Sequence, residues 1–319
     1  MSKIIWPGLI DIHVHLREPG AEYKEDFLTG SQAARAGGFS YILDMPNNPT
    51  ATINLERLEE KINLAKKAVV KIGFHFGTNG KNLEEFAKVW DRTEVFGLKI
   101  YLNHTTGEML VENQKLLADI FSAWNCPKPI LIHAEREKLR LAIKLAQQFS
   151  RRLHVCHISL AEEVAWVGQA KKSGLKITGG VTPHHLWLKT GVIMKPPLNT
   201  NADKRALWQG LQAGIIDLVE SDHAPHLKEE KLFGVPGLET TLGLMLLGVK
   251  QNKCTLEQVK AWLYDNPKKI FNIPNQKAII KFDPEKPWIV DESKLKTKCA
   301  WSSFAGWQLY GKVEEIIYA

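Results

Sequence analysis

The chain has 319 residues, 44% of them hydrophobic and 24% charged. That composition supplies a full core and excludes intrinsic disorder as the main state. Lys and Arg outnumber Asp and Glu by 42 to 35, a formal charge of +7, but the excess is spread along the chain, so it suits a small anionic substrate better than a nucleic acid.

From the first residues onward, short β-branched or apolar runs alternate with helical periodicity. LIDIHV near residue 10, FSYILDM near 40, VKIGFHF near 72 and VFGLKIYL near 98 read as strands, followed by PILIHA near 131, LHVCHI near 155, LKITGGV near 178 and IIDLVESD near 219. Between them LERLEEKINLAKKA, NLEEFAKVW, NQKLLADIFSAW, EKLRLAIKLAQQF and AEEVAWVGQAKK read as helices. Eight strands with intervening helices predict an α/β fold, a (β/α)8 TIM-type barrel. An open doubly wound sheet is the alternative, but the first βα turn lacks the GxGxxG phosphate fingerprint.

Past about residue 237 two more helices are expected, LETTLGLMLLGVK and LEQVKAWLYDN, the second ending at Pro267. AIIKFD, PWIVDE and KVEEIIYA then read as short strands, too little for a core of their own. The expected organisation is one hydrolase domain over 1–319, with a barrel over about 8–270 and a tail over about 271–319 packed on it. The tail and the first few residues form a reduced accessory β segment. No apolar run approaches the ~20 residues of a membrane span, and MSKIIWPGLIDIH lacks the apolar core of a secretory signal. The four cysteines (Cys126, Cys156, Cys254, Cys299) form no CxxC pair, the pattern of reduced thiols in a cytoplasmic protein.

Chemistry-bearing residues gather at the ends of the predicted strands. In DIHVH, His13 and His15 are two apart and so share a strand face. His133 ends PILIHA, His157 ends LHVCHI, and Asp222 ends IIDLVESD. Barrel active sites form at that edge, so residues distant in sequence meet there. One such histidine alone would be an ordinary structural group. Four with an aspartate suit zinc or a similar divalent ion. Lys99 interrupts the apolar strand VFGLKIYL, where a buried ammonium needs a partner or loses its charge. Two readings stand: an ion pair with a barrel carboxylate, or a neutral amine that captures CO2 to give a metal-bridging carbamate. Cys156, next to His157, is expected to face the opposite side of its strand.

The ordered set DIHVHLREPG, GGFSYILDMPNNPT, GLKIYLN, ILIHAE, HVCHIS, VTPHHL, SDHAPH and PGLETTL resembles the class I dihydroorotases of the amidohydrolase superfamily, from about residue 8 to about 267. The resemblance implies two Zn2+ ions bridged by carboxylated Lys99 and a hydroxide. His13, His15, Lys99 and Asp222 would hold one ion, and Lys99, His133 and His157 the other, with Asp222 also the catalytic acid–base. It implies reversible cyclisation of N-carbamoyl-L-aspartate to L-dihydroorotate and water, a step of pyrimidine biosynthesis. Arg17 and Asn47 would bind the substrate carboxylate with help from His226. Lys195 stands where relatives carry Asn or Arg. Thr105 and Thr106 occupy the place of a lid-loop threonine; N-capping of a helix at TTGE is the plainer alternative. For Arg17 the alternative is a loop salt bridge with Glu18 or Glu22.

Two further departures are Asn199, where many relatives have Arg, and Gly180, where many have Glu. The resemblance also allows a homodimer and an association with aspartate transcarbamoylase. Two other readings remain. An allantoinase or hydantoinase would generally lack the arginine at position 17. A non-catalytic dihydroorotase-like subunit scaffolding a partner would typically have lost metal ligands.

Overall fold

A computed structural model of the chain describes residues 3–105, 107–189 and 192–318. After β1 (Ile4–Pro7), eight strands follow: β2 (Leu9–Val14), β3 (Phe39–Asp44), β4 (Lys71–Gly77), β5 (Val95–Tyr101), β6 (Ile130–His133), β7 (Leu153–Val155), β8 (Ile177–Val181) and β9 (Leu218–Val219). They form one parallel sheet in sequence order. β9 turns back to β2 through a parallel bridge between Val14 and His223, where His15 N donates to the His223 carbonyl at 2.8 Å. The sheet is thereby a nearly closed barrel, as expected.

The helices follow the strands: α1 (Phe27–Ala36), α2 (Leu55–Leu64), α3 (Phe86–Val89), α4 (Gln114–Ala123), α5 (Glu137–Gln148), α6 (Ala161–Lys172), α7 (Pro183–Trp187) and α8 (Asn201–Gln212). α6 covers the whole of AEEVAWVGQAKK, whereas NLEEFAKVW yields only a 3-10 turn and the four residues of α3. The largest buried apolar cluster joins strand residues such as Leu98, Ile100, Ile130 and Val155 to helix residues such as Phe121, Leu139 and Val167. A second cluster joins Ile10, Ile12, Leu43 and Leu218 to Tyr264 and Phe271. Close packing inside the barrel requires Gly97 in β5, since a Cβ there would lie 2.4 Å from Leu131 Cδ1 and 2.6 Å from the Pro129 carbonyl.

α9 (Thr241–Lys250) and α10 (Leu256–Lys260) come next. The sequence predicts that the last helix stops at Pro267. Instead α10 runs through a π-helical segment, Ala261–Asp265, into α11 (Asn266–Phe271), with Pro267 in the first turn of α11. Pro267 follows directly on the π-helical turn, whose last bond runs from Asn266 N to the Ala261 carbonyl five residues back, and this widened ladder admits a residue without an N–H.

β10 (Ala278–Phe282), β11 (Pro287–Ile289), β12 (Gln308–Tyr310) and β13 (Val313–Tyr318) complete the chain. β10 pairs antiparallel with both β1 and β13, and β11 with β12. The tail therefore joins the N-terminal strand in a small sheet, as expected. Among the described residues, no helix is long and apolar enough to cross a membrane.

Candidate metal centre

The C-terminal ends of the barrel strands bring the predicted ligands together. His13 and His15 lie at the end of β2, with ring centroids 5.3 Å apart. Asp222 Oδ1 approaches His13 Nε2 at 3.4 Å and His15 Nε2 at 3.2 Å. His133 Nδ1 is 3.0 Å from His157 Nε2, and the His157 ring packs 5.2 Å from that of His13. One ligand atom each from His13, His157 and Asp222 fall within 4.8 Å of one another. All five side chains line a narrow cavity that also receives Arg17, Asn47 and Tyr101. Lys99 is fully buried beside them, its Nζ donating to Cys156 Sγ at 3.1 Å. Among the described residues it forms no salt bridge, so the ion-pair reading of Lys99 has no partner in this structure.

The pattern of hydrogen-bond partners leaves room for a cation. Asn47 Oδ1 is 2.7 Å from His15 Nδ1. With that oxygen as acceptor, Nδ1 carries the proton and Nε2 turns its lone pair on Asp222. Facing each other at 3.2 Å, that lone pair and the carboxylate need a proton or a cation between them. His133 Nε2 and His157 Nδ1 are buried without a hydrogen-bond partner, and buried polar nitrogens are rarely left so. Burial, then the charge on Lys99, pushes His13 and His133 well below the usual imidazole range. Burial followed by His133 and Lys99 does the same to His157, and burial followed by Arg17 and Lys99 to His15. Neutral imidazoles are the form that coordinates metals. The buried His and Asp cluster thus fits a metal site, and its N/O donors suit zinc.

Backbone strain marks the same residues. Arg17 (φ 64°), His157 (φ 36°) and Asp222 (φ 45°) all adopt the left-handed region, which costs a non-glycine residue energy and persists where the surroundings enforce it. The turn at His157 also corrects the expectation for Cys156. Strand alternation ends at Val155, so neighbouring Cys156 and His157 both face the cluster, with Cys156 in contact with Lys99.

The predicted substrate residues flank the cluster. Arg17 donates from Nε to the Pro225 carbonyl, and its Nη2 meets His226 Nε2, both at 2.9 Å. The alternative salt bridges with Glu18 and Glu22 do not form: Glu18 pairs with Lys67, and Glu22 accepts from Gly20 N. Asn47 serves His15 as well as the cavity. Lys195 and Thr105 also line the cavity; Thr106 lies outside the described residues. Among the described residues, the first helix after TTGE is α4, which starts at Gln114. Asn199 instead donates to the Ser159 carbonyl at 3.2 Å.

The DMPNN segment is held by a buried clamp. Asp44 accepts from Leu16 N at 2.8 Å and pairs with Lys61 at 2.6 Å, while Lys61 also reaches Asn48 Oδ1 at 2.6 Å. Sequence reasoning missed Lys61, Tyr101, Glu220 and Phe233, the last of which also lines the cavity. Glu220 carried a usable signal: a charged residue in the strand run IIDLVESD, the anomaly that singled out Lys99.

A model of the amidohydrolase family matches residues 4–281, and the chain belongs to that family. Within it the chain is dihydroorotase-like. It is 36% identical to the multifunctional protein CAD of Squalus acanthias over 98% of this chain, although it spans only 14% of that protein's length. It is 33% identical to a dihydroorotase of Listeria monocytogenes, covering 96% of this chain and 84% of that one. Among solved structures, an L-hydantoinase from Arthrobacter aurescens superposes with a TM-score of 0.93 at 24% identity, over 99% of this chain and 85% of that chain. The inactive dihydroorotase-like domain of a Chaetomium thermophilum CAD-like multifunctional protein superposes at 0.85 with 26% identity, over 100% of this chain and 94% of that chain.

Proposed function

We propose that the chain is a dihydroorotase, interconverting N-carbamoyl-L-aspartate with L-dihydroorotate and water at a centre of two zinc ions. The observation that carries this reading is the buried Arg17 guanidinium in the same cavity as the His and Asp cluster. A fork of N–H donors there suits a substrate carboxylate, which hydantoin and allantoin lack. Asn47 and Lys195 add a polar donor and a positive charge to that wall, and His226 holds the guanidinium from behind.

His13, His15 and Asp222 would hold one ion and His133 and His157 the other, with Lys99 as a carbamate between them. The carbamate forms when the neutral Lys99 amine adds to CO2 and releases a proton. When bound, the ions supply an activated water and polarise the amide carbonyl. Asp222 moves the proton: it takes one from the attacking water and gives it to the departing ring nitrogen, and does the reverse in cyclisation. Burial lifts the Asp222 carboxyl to about 7 against the opposing charge of Lys99; cations held at the site would bring it down. Acid favours ring closure, because the open form carries one more ionised carboxylate.

Assays of dihydroorotate, hydantoin and allantoin side by side test the reading. Dihydroorotate is expected to be the preferred substrate; preference for either neutral ring would overturn it. Asp222→Asn is expected to retain zinc while turnover falls by several orders of magnitude. No turnover in the wild type with zinc fully loaded would favour a non-catalytic role, the state named for the Chaetomium thermophilum domain.

A further inference from the structure

Glu220 is a fully buried carboxylate one layer beneath the cluster. Its Oε1 accepts a short hydrogen bond from the backbone N–H of His157. Its Oε2 lies 3.3 Å from His13 Nδ1 and 3.6 Å from His154 Nε2. His154 is tied through its other nitrogen to Thr178 Oγ1 at 2.9 Å. Glu220 therefore approaches two of the six residues assigned above to the ions, one at its ring and one through its backbone. The room for it comes from across the sheet: a Cβ on Gly180 would lie 2.6 Å from both the carboxyl carbon and Oε1 of Glu220. Gly180 is buried and its φ is outside the left-handed region, so the absent side chain is explained by this close approach rather than by backbone conformation.

We propose that Glu220 is the positioning residue of the metal centre, and that Gly180 is a glycine so that its carboxylate can reach there. Oε2, 3.3 Å from His13 Nδ1 and without a hydrogen-bond donor of its own, is the acceptor at hand for that nitrogen's proton; holding the proton there fixes the tautomer and leaves the Nε2 lone pair directed at Asp222. Oε1 meanwhile secures the strained turn that carries the His157 ring. A metal-bound histidine commonly donates its second N–H to such a carboxylate, and losing that partner weakens metal binding about 10–100-fold. The inference rests on the metal reading above and adds to it the group that aims its ligands.

The test is Co2+ titration of the chelator-stripped full chain, read by visible ligand-field absorption, with thermal unfolding as the check on folding. Glu220→Ala is expected to bind Co2+ at least tenfold more weakly, with shifted bands. A glutamate's carboxyl carbon stands two bonds from its own Cβ, about the distance separating the Gly180 position from the Glu220 carboxyl. The double variant Gly180→Glu with Glu220→Ala therefore returns a carboxylate to the same spot and is expected to recover most of the affinity. Gly180→Ala with Glu220→Ala fills space without charge and is expected not to recover it. If Glu220→Ala fails to fold, Glu220→Gln carries the comparison with the same tenfold loss expected. Wild-type affinity and spectrum in Glu220→Ala or Glu220→Gln, or equal recovery by both double variants, would overturn the inference alone. A wild type that takes up no Co2+ would overturn the metal reading and the inference with it.

Discussion

Among the described residues, Arg17 forms no ion pair with any carboxylate, though it is 4% exposed. Its hydrogen bonds go to a carbonyl and a neutral imidazole, so its charge remains available to an anionic ligand. Removing a hydrogen bond to a charged group costs about 1.5–3 kcal/mol. Arg17→Ala is accordingly expected to raise KM for dihydroorotate about 10–100-fold while leaving any weak turnover of neutral hydantoin unchanged; steady-state kinetics on both substrates check this, and equal losses on both would contradict it. The clustered histidines and Asp222 were legible because each ends a predicted strand pattern. Cys156 was assigned to the wrong side because alternation holds only while the strand lasts, and the left-handed turn at His157 ends it. The role of Asn47 in setting the His15 tautomer depends on a contact between residues 32 apart, which no local pattern encodes.

Elements were most legible where periodicity was long. α5 and α6 fill their predicted segments, whereas β9 keeps only two residues of IIDLVESD. Beyond Val219 the run leaves regular strand geometry, although Glu220 N still donates to the Val181 carbonyl at 3.1 Å. The helix through Pro267 was misread because a π-helical turn just before the proline relieves the clash and the lost hydrogen bond that end a regular helix there. α1, not among the predicted helices, begins at an identifiable cap: Asp26 accepts from Thr29 N at 2.8 Å and pairs with Lys298 of the tail. Asp26→Ala is expected to lower stability by about 1–2 kcal/mol, seen as a lower urea midpoint. An unchanged midpoint would show that the cap contributes little.

Across the whole molecule, buried titratable groups set the response to acid. His75 and His226 are held down to about 3 and His185 to about 4, chiefly by burial. His13, His15, His133, His157 and His184 are also held well below their usual range. A histidine depressed in the folded chain binds its proton only on unfolding, so its contribution to stability is lost as pH falls below about 6.5. Asp11, Asp222 and Glu239, raised to about 7 by burial, act in the opposite sense, since they keep a proton that the unfolded chain releases. Eight groups outweigh three, so in the presence of a chelator the urea midpoint is expected to fall between about pH 7 and about pH 5; a midpoint that rose would contradict these environments. Barrel closure and the joining of the tail to the first strand were legible as a strand count and a leftover β pattern, but the pairing order of β1, β10 and β13 was not, because register between distant segments is set by packing.

The most direct measurement is diffraction from crystals of the zinc-loaded chain at the zinc absorption edge. The account predicts two anomalous peaks among His13, His15, His133, His157 and Asp222, joined by density continuous with Lys99 Nζ. A bare lysine with no peak at that rim would contradict it.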